Sequence, residues 1–142
     1  DYGKNLQATG NDLVEGVKVH VFNSNTACLM EGYQAKYASI LAKKGYSVEE
    51  IFAECAKVRD HTDTYLVVDD IKYLVKNGRL SGAAGFIGGL AKIKPVLNLG
   101  HEGKILPFEK VRTHPKAIAR CIDVSLEKAA KYKKVLYIVG IY

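Results

Sequence analysis

Apolar and polar positions follow two periods along the chain, and these periods predict alternating helices and strands. Residues 1–16 predict the last part of a helix that ends near Gly16. Residues 17–22, VKVHVF, alternate and are rich in β-branched side chains, which is typical of a strand. Residues 23–32 are loop-like, and a helix is expected to begin within them and to end just before Gly45.

The next helix has the clearest start in the sequence. Ser47 and Glu50 have the spacing of a capping box, in which each side chain bonds the backbone N–H of the other residue. The helix is predicted to run to about Asp60, and we expect its apolar face to cover a sheet. That face carries Ile51, Cys55 and Val58.

The middle of the chain predicts a strand followed by two helices. Residues 64–70, TYLVVDD, are typical of a strand that runs into an aspartate helix cap. The short helix after it is stopped by Asn77 and Gly78, a pair that is typical of a helix C-terminus. Ser81 is expected to cap a second helix over residues 81–92.

A hairpin and a long helix are predicted after residue 92. Residues 93–99 and 104–113 are strand-like and are joined by a glycine-containing turn. Pro95 and Pro107 suit bends or edge strands, because proline cannot donate to a ladder. A long helix is expected from Pro115 onwards.

The last residues, 135–142, contain no charge and predict a final strand, so the class is α/β. The apolar stripe of the helix before them consists of Ile118, Cys121, Ile122, Ser125 and Ala129.

The 142 residues suffice for one domain or for parts of two, and the 48% hydrophobic content is that of a globular protein. A helix without a beginning opens the chain and an uncharged strand closes it. We therefore expect the middle part of a longer protein.

The net charge of +6 raises the question of nucleic-acid binding. Lys and Arg are spread along the chain, however, and no RNP-like or helix-turn-helix pattern is present. We therefore expect a basic solvated surface and no nucleic-acid partner.

Metal, cofactor and nucleotide motifs are lacking. Cys28, Cys55 and Cys121 are far apart, no CxxC occurs, and the four histidines show no metal spacing. No Walker A loop is present. The sequence predicts no metal, no cofactor and no catalytic residue, and three separate thiols favour a reduced cytoplasm.

The segment between Arg79 and Lys92 holds twelve uncharged residues, four of them glycine. Each glycine inside a helix costs about 1 kcal/mol relative to alanine, so something must approach this backbone closely. Two interpretations remain open, tight packing on a sheet or the wall of a narrow apolar channel. Arg79 would either hold an anion or acidic partner, or be an ordinary surface charge.

Residues 69–113 resemble the central signature of the DegV family, and the order of the upstream elements also fits. The matching motifs are Tyr73-Leu74, Lys76, Gly78-Arg79, Leu80-Ser81-Gly82, Ile93-Lys94-Pro95, Gly103-Lys104 and Val111-Arg112-Thr113. The resemblance implies a bacterial two-domain protein that binds a long-chain fatty acid between its domains. It also implies a carrier that presents the fatty acid to a fatty acid kinase and is not itself the enzyme.

The resemblance implies a domain arrangement as well. Residues 1–60 would complete an α/β sheet domain, and residues 61–142 would begin an α+β domain with a hairpin and helices that covers the lipid tail. The family's carboxylate-holding motifs would precede the first residue here, and its histidine motif would follow Tyr142. The basic charge would allow peripheral contact with a membrane surface.

Site residues follow from the resemblance. Arg79 would lie at the entrance and face the kinase, while Ser24, Thr26 and Cys28 are weaker candidates near the carboxylate. Asn23 stands where the family has aspartate, and Cys28 where serine is common. The tail-lining candidates are Leu80, Ala83, Ala84, Phe86, Ile87, Leu90 and Ile93.

Two other functions remain as alternatives. One is a phosphate-handling enzyme that uses Arg79 and Arg112, which would turn over ATP without a partner. The other is a basic regulatory or nucleic-acid-binding module, whose binding to random duplex DNA would be salt-sensitive.

Overall fold

The computed structural model describes residues 2–13, 15–80, 82, 93–100 and 102–140. None of the helices within these ranges is both long and apolar enough to cross a membrane. The predicted helix over residues 81–92 falls outside the described residues, apart from Gly82.

The chain divides into two compact units, Asp1–Asp60 and His61–Tyr142, called here the first and the second unit. That the first unit completes one domain and the second begins another remains a prediction.

Three helices make up most of the first unit: α1, Tyr2–Leu13; α2, Cys28–Lys43; and α3, Val48–Asp60. These bounds agree with the predicted helices. The two longer helices, α2 and α3, pack against each other and bury Leu41 and Cys55.

The strand predicted at residues 17–22 is wrong, because the segment pairs with no other strand among the described residues. Its backbone bonds helix side chains instead. The N–H of Val19 donates to Oδ1 of Asn11 at 2.6 Å, and the N–H of Val21 donates to Oε1 of Gln7 at 3.4 Å. Two amides one turn apart on α1 thus occupy positions that a neighbouring strand would fill.

The alternation of residues 17–22 still separates two faces. A Cβ on Gly10 of α1 would lie 2.9 Å from Cγ2 of Val19, so this glycine permits the contact. On the other face, His20 and Phe22 pack against the ring of Phe52 in α3, at centroid distances of 6.4 and 5.3 Å. The expectation that α3 covers a sheet is therefore corrected, since α3 covers one extended segment and α2.

A glycine ends α2 and a capping box begins α3, both as predicted. Gly45, with φ +83°, donates to the carbonyl of Ala42, and the next residue, Tyr46, donates to that of Leu41. This is the hydrogen-bond pattern of a Schellman motif.

The capping box joins Ser47 and Glu50 in both directions. The N–H of Ser47 donates to Oε2 of Glu50 at 2.8 Å, and the N–H of Glu50 donates to Oγ of Ser47 at 3.3 Å. The bond from the Ser47 N–H is the main reason that the pKa of Glu50 lies below its usual value.

The second unit contains three strands and two helices. They are β1, Thr64–Val67; α4, Lys72–Lys76; β2, Val96–Leu99; β3, Ile105–Glu109; and α5, His114–Ala129. The strands form an antiparallel sheet in the order β1-β2-β3, so β2 is central.

The predicted hairpin between β2 and β3 is confirmed. Gly100 donates its N–H to the carbonyl of Lys104 at 2.9 Å, and Gly103 closes the turn with φ +72°. Pro107 lies in the edge strand β3 opposite Leu97, next to an irregularity in the ladder. An edge position leaves its missing N–H without cost to the sheet.

Each face of this sheet is covered by a different helix. Ile71 and Leu80, which flank α4, pack with Leu97 of β2 into one buried cluster. On the other face α5 packs against β1 and β2 and buries Ala117 and Val124.

The predicted stripe of α5 is wrong in its centre. Ile118 and Ile122 are exposed, whereas the other members of the predicted stripe, Cys121, Ser125 and Ala129, are half-buried, and the buried residues of the helix are Ala117 and Val124. The apolar surface of α5 is therefore wider than its buried part, which is marked by Ala117 and Val124.

The final strand predicted over residues 135–142 is also wrong within the described residues. Residues 135–140 pair with no strand there, and their large side chains are exposed. A strand-like pattern predicts that a segment can pair with another strand, but none of the described residues forms such a strand beside residues 135–140.

Candidate ligand-binding elements

Arg79 is placed by the end of α4. Gly78, with φ +63°, donates its N–H to the carbonyl of Val75 at 3.0 Å, and Arg79 donates its N–H to that of Leu74 at 2.8 Å. This second Schellman motif confirms the predicted stop at Asn77 and Gly78. It fixes the backbone of Arg79 while its side chain remains exposed.

Leu80, the next residue, points the opposite way. It is 6% exposed, packs with Ile71 and Leu97, and forms a bridge with Ile105 of β3. An exposed cation and a buried leucine thus stand side by side where the glycine-rich segment begins. The tail-lining role of Leu80 stays a prediction, and any tail that reached it would share this cluster.

Most of the other tail-lining candidates lie outside the described residues. Ile93 is described and is half-buried, directly before Lys94 and the fully buried Pro95. Gly82 has φ +69°, and a Cβ there would meet no atom of the described residues within 4 Å. The undescribed candidates are Ala83, Ala84, Phe86, Ile87 and Leu90.

The loop before α2 folds into two successive local turns. Asn25 donates its N–H to Oδ1 of Asn23 at 3.1 Å, and Thr26 donates its N–H to Oγ of Ser24 at 3.4 Å. Asn25 has φ +49° and Cys28 has φ +57°, values that are uncommon for residues other than glycine. The loop is therefore held in a strained, compact form.

This loop offers hydroxyl and thiol groups of different accessibility. The Oγ1 atom of Thr26 is buried and bonds to none of the described residues. Cys28 is exposed at the first position of α2, and Ala27 supplies no side-chain cap there. A polar group from a ligand or water would satisfy Thr26, because buried hydroxyls rarely stay unpaired.

Arg59, near the end of α3, contacts this loop and was missed by sequence reasoning. Its guanidinium lies 5.4 Å from the ring centroid of Phe22 and donates to the carbonyl of Asn23 at 3.3 Å. Its Nε also bonds Asp60 at 2.9 Å. No spacing rule could have found it, because 36 residues separate Arg59 from Asn23.

The remaining chemical candidates are not gathered into a site. Arg112 is exposed between β3 and α5. Cys55 is buried, which raises the pKa of its thiol, and desolvation has the same effect on the pKa of Cys121. Within the described ranges, His, Cys, Asp and Glu form no cluster able to hold a metal ion.

Comparison with known sequences gives a match over nearly the whole chain. The sequence model of a family described as an uncharacterised protein, DegV family, matches residues 4–142. A DegV domain-containing protein of Staphylococcus aureus strain N315 is 44% identical over 117 residues, which are 82% of this chain and 40% of that protein.

Solved structures show the same fold. The fatty acid binding DegV family protein of Streptococcus agalactiae matches with a TM-score of 0.77 and 29% identity, over 92% of this chain and 46% of that one. DegV of Bacillus subtilis, a fatty acid binding protein, matches with a TM-score of 0.72 and 38% identity, over 89% of this chain and 45% of that one. The present chain therefore spans less than half the length of these relatives.

Proposed function

Because the chain belongs to the DegV family, we propose that it is part of a protein that binds a long-chain fatty acid in an apolar slot between two domains. The bound carboxylate would be presented to a fatty acid kinase. The observation that supports this most is the fold match to two solved DegV proteins described as fatty acid binding.

Arg79 and Leu80, where the glycine-rich segment begins, suit a protein that binds an apolar tail and contacts a charged partner. Leu80 faces the apolar cluster while Arg79 faces solvent, so an apolar tail and a charged partner would be met on opposite sides of the backbone. The uncharged residues that follow would line the tail. Each buried methylene contributes roughly 0.8 kcal/mol, so a long slot requires few polar contacts.

The loop before α2 would contribute at the carboxylate end. Thr26 has a buried hydroxyl that lacks a partner among the described residues, and Ser24 and Cys28 lie in the same loop. Arg59 brings a guanidinium to this loop through the carbonyl of Asn23. These residues would assist other groups of the longer protein in holding the carboxylate.

In this proposal the protein is a carrier that needs no cofactor of its own. The kinase would supply ATP and the catalytic groups, and Arg79 at the entrance would face that partner. The location is then the cytoplasm, where ATP is available.

Mass spectrometry of an organic extract from freshly purified protein tests the proposal. The protein should be expressed from its own gene, and native mass should be measured on the same sample. We expect one long-chain fatty acid per chain. A protein that stays empty after incubation with oleate would contradict the proposal, as would ATP turnover without a partner.

A bulky substitution tests the slot itself. Ala84→Trp is expected to remove the bound fatty acid while the far-UV circular dichroism stays unchanged. Ala130→Trp, which adds the same bulk at an exposed position after α5, is the matched control. Unchanged lipid content in a folded Ala84→Trp variant would show that residue 84 does not line the slot.

A further inference from the structure

Lys94 connects three segments of the second unit. Its Nζ donates to the backbone carbonyl of Asp69 at 2.8 Å and to Oδ1 of the same residue at 3.1 Å. Its own backbone N–H donates to the carbonyl of Val111 at 2.6 Å. One residue therefore ties the segment after β1 to the segments that precede β2 and follow β3.

The segment that Lys94 holds is the one that leads to Arg79. Asp69 lies directly before Asp70, whose Oδ1 accepts the N–H of Lys72 at 2.8 Å in the first turn of α4. The five-residue helix then ends in the Schellman motif that carries Arg79. A change in the direction of α4 would therefore move Arg79.

Apolar packing alone leaves that direction poorly fixed. Ile71 and Leu80 hold the two ends of the α4 segment in the buried cluster, and Leu74 and Val75 of α4 itself pack against it. The hydrophobic effect has no direction, so these contacts hold α4 against the cluster but do not by themselves set its angle. Hydrogen bonds do have preferred directions, and the bonds from Lys94 to Asp69 supply them.

The burial of the two partners indicates positioning and not stability as the role of this contact. The Lys94 side chain is 31% exposed, but that of Asp69 is 87% exposed. Ion pairs with such an exposed carboxylate contribute little to stability. The bond to the backbone carbonyl is of a different kind, because it holds the chain itself.

We infer that Lys94 is a positioning residue for Arg79: through Asp69 it sets the orientation of α4 and thereby of the guanidinium offered to a partner. This inference rests on the proposed function, in which Arg79 contacts the kinase. The variants are made in the protein as expressed from its own gene.

Hydrogen exchange tests the structural part. Lys94→Met should speed exchange of the amides of Lys72 and Arg79 by about tenfold, because α4 opens more often. Lys94→Arg, which keeps the donors, should restore slow exchange. Lys104→Met is the matched control, since it removes an exposed Lys–Glu pair from the hairpin of the same unit. Unchanged exchange in Lys94→Met would overturn the inference.

Kinase kinetics test the functional part, with oleate-loaded protein as the varied substrate and the kinase catalytic subunit of the source organism. Arg79→Met should raise KM, and Lys94→Met should raise it by a smaller factor with kcat unchanged. The double variant should be no worse than Arg79→Met alone. If the increase of KM in the double variant equals the product of the two single increases, Lys94 acts independently of Arg79, and the inference is overturned.

The outcomes separate the two proposals. If oleate is not bound, or if Arg79→Met leaves KM unchanged, the proposed function of this site fails and the inference falls with it. If Arg79→Met raises KM but Lys94→Met does not, only the inference about Lys94 is wrong. Asp69→Asn, which keeps the backbone carbonyl, should have a smaller effect than Lys94→Met in both experiments, and an equal effect would assign the positioning to the carboxylate.

Discussion

The second unit pairs three strands into a sheet, whereas the first unit contains a strand-like segment with no strand beside it among the described residues. In the second unit, β2 and β3 are joined by a short turn and pair directly. In the first, residues 17–22 bond side chains of α1. The comparison shows that a period-2 pattern predicts an extended conformation, but a sheet needs a partner strand.

The two units also differ in what they bury. The second unit encloses Val96 and Leu97 completely in its central strand. The first buries Leu41 and Cys55, together with Gln34, whose two amide atoms bond to none of the described residues. We therefore expect apolar burial to dominate the stability of the second unit, and local helix features to matter more in the first.

The largest effect is expected from the central strand. Leu97→Ala removes buried carbons from both the α4 cluster and the sheet, so it should lower the free energy of unfolding by about 2–5 kcal/mol. Urea titration followed by circular dichroism measures the change. Leu106→Ala, at an exposed position of β3, is the control and should cost much less. Equal costs would contradict the assignment of the core to β2.

Substitution of Gln34 should give the next largest change in the free energy of unfolding, but as an increase. It is 4% exposed, and an unpaired buried polar group costs roughly 1–3 kcal/mol. Gln34→Leu keeps the approximate volume and removes the amide, so urea titration should show a more stable protein. Asn11→Ala, which deletes the acceptor for the N–H of Val19, should show a less stable one. A destabilised Gln34→Leu variant would reveal that the amide has a partner, such as a bound water.

Two glycines in the helices of the first unit sharpen the comparison further. Gly32→Ala should stabilise α2 by about 1 kcal/mol, because its Cβ would meet no atom of the described part of the chain within 4 Å. Gly10→Ala gains the same helix propensity but brings Cβ to 2.9 Å from Val19, a stiff β-branched side chain. Overpacking then leaves it about 1 kcal/mol less stable than the unsubstituted protein. Thermal denaturation of both variants checks the signs, and a stabilised Gly10→Ala variant would show that residues 17–22 can move away from α1.

These contrasts show which parts of the fold could be predicted from sequence. Features within a few residues were predicted correctly: the capping box at Ser47 and Glu50, the glycine stops at Gly45 and Gly78, and the β2–β3 turn. Each follows from local backbone chemistry. The buried line of α5 was not predicted, because a wide apolar surface does not show which part the sheet will cover.

The candidate site shows the same division. The sequence predicted that Arg79 follows a capping glycine and offers its side chain to a ligand or partner. The capping part could be predicted because the Schellman motif depends on residues 74–79 alone. The contact of Arg59 with the carbonyl of Asn23 spans 36 residues, and that of Lys94 with Asp69 spans 25. Both use backbone carbonyls as acceptors, which every residue possesses, so no pattern of side chains could indicate them.

The smallest effect on stability is expected when acid protonates Glu50 of the capping box. The N–H of Ser47 lowers the pKa of Glu50 in the folded chain. Between the lowered and the usual pKa, the unfolded chain holds more protons at this residue, so stability there rises with pH. The contribution of Glu50 is thus fully present above its unfolded pKa and is lost as the pH falls through the folded pKa.

Glu50→Gln should therefore flatten the decline of the urea midpoint across this acid range. The control is Glu49→Gln, which removes a carboxylate from the same helical turn without touching the capping box. A decline that both variants flatten equally would mean that acid acts through the charge of the first turn as a whole. A decline that only Glu50→Gln flattens would locate the effect in its bond with Ser47.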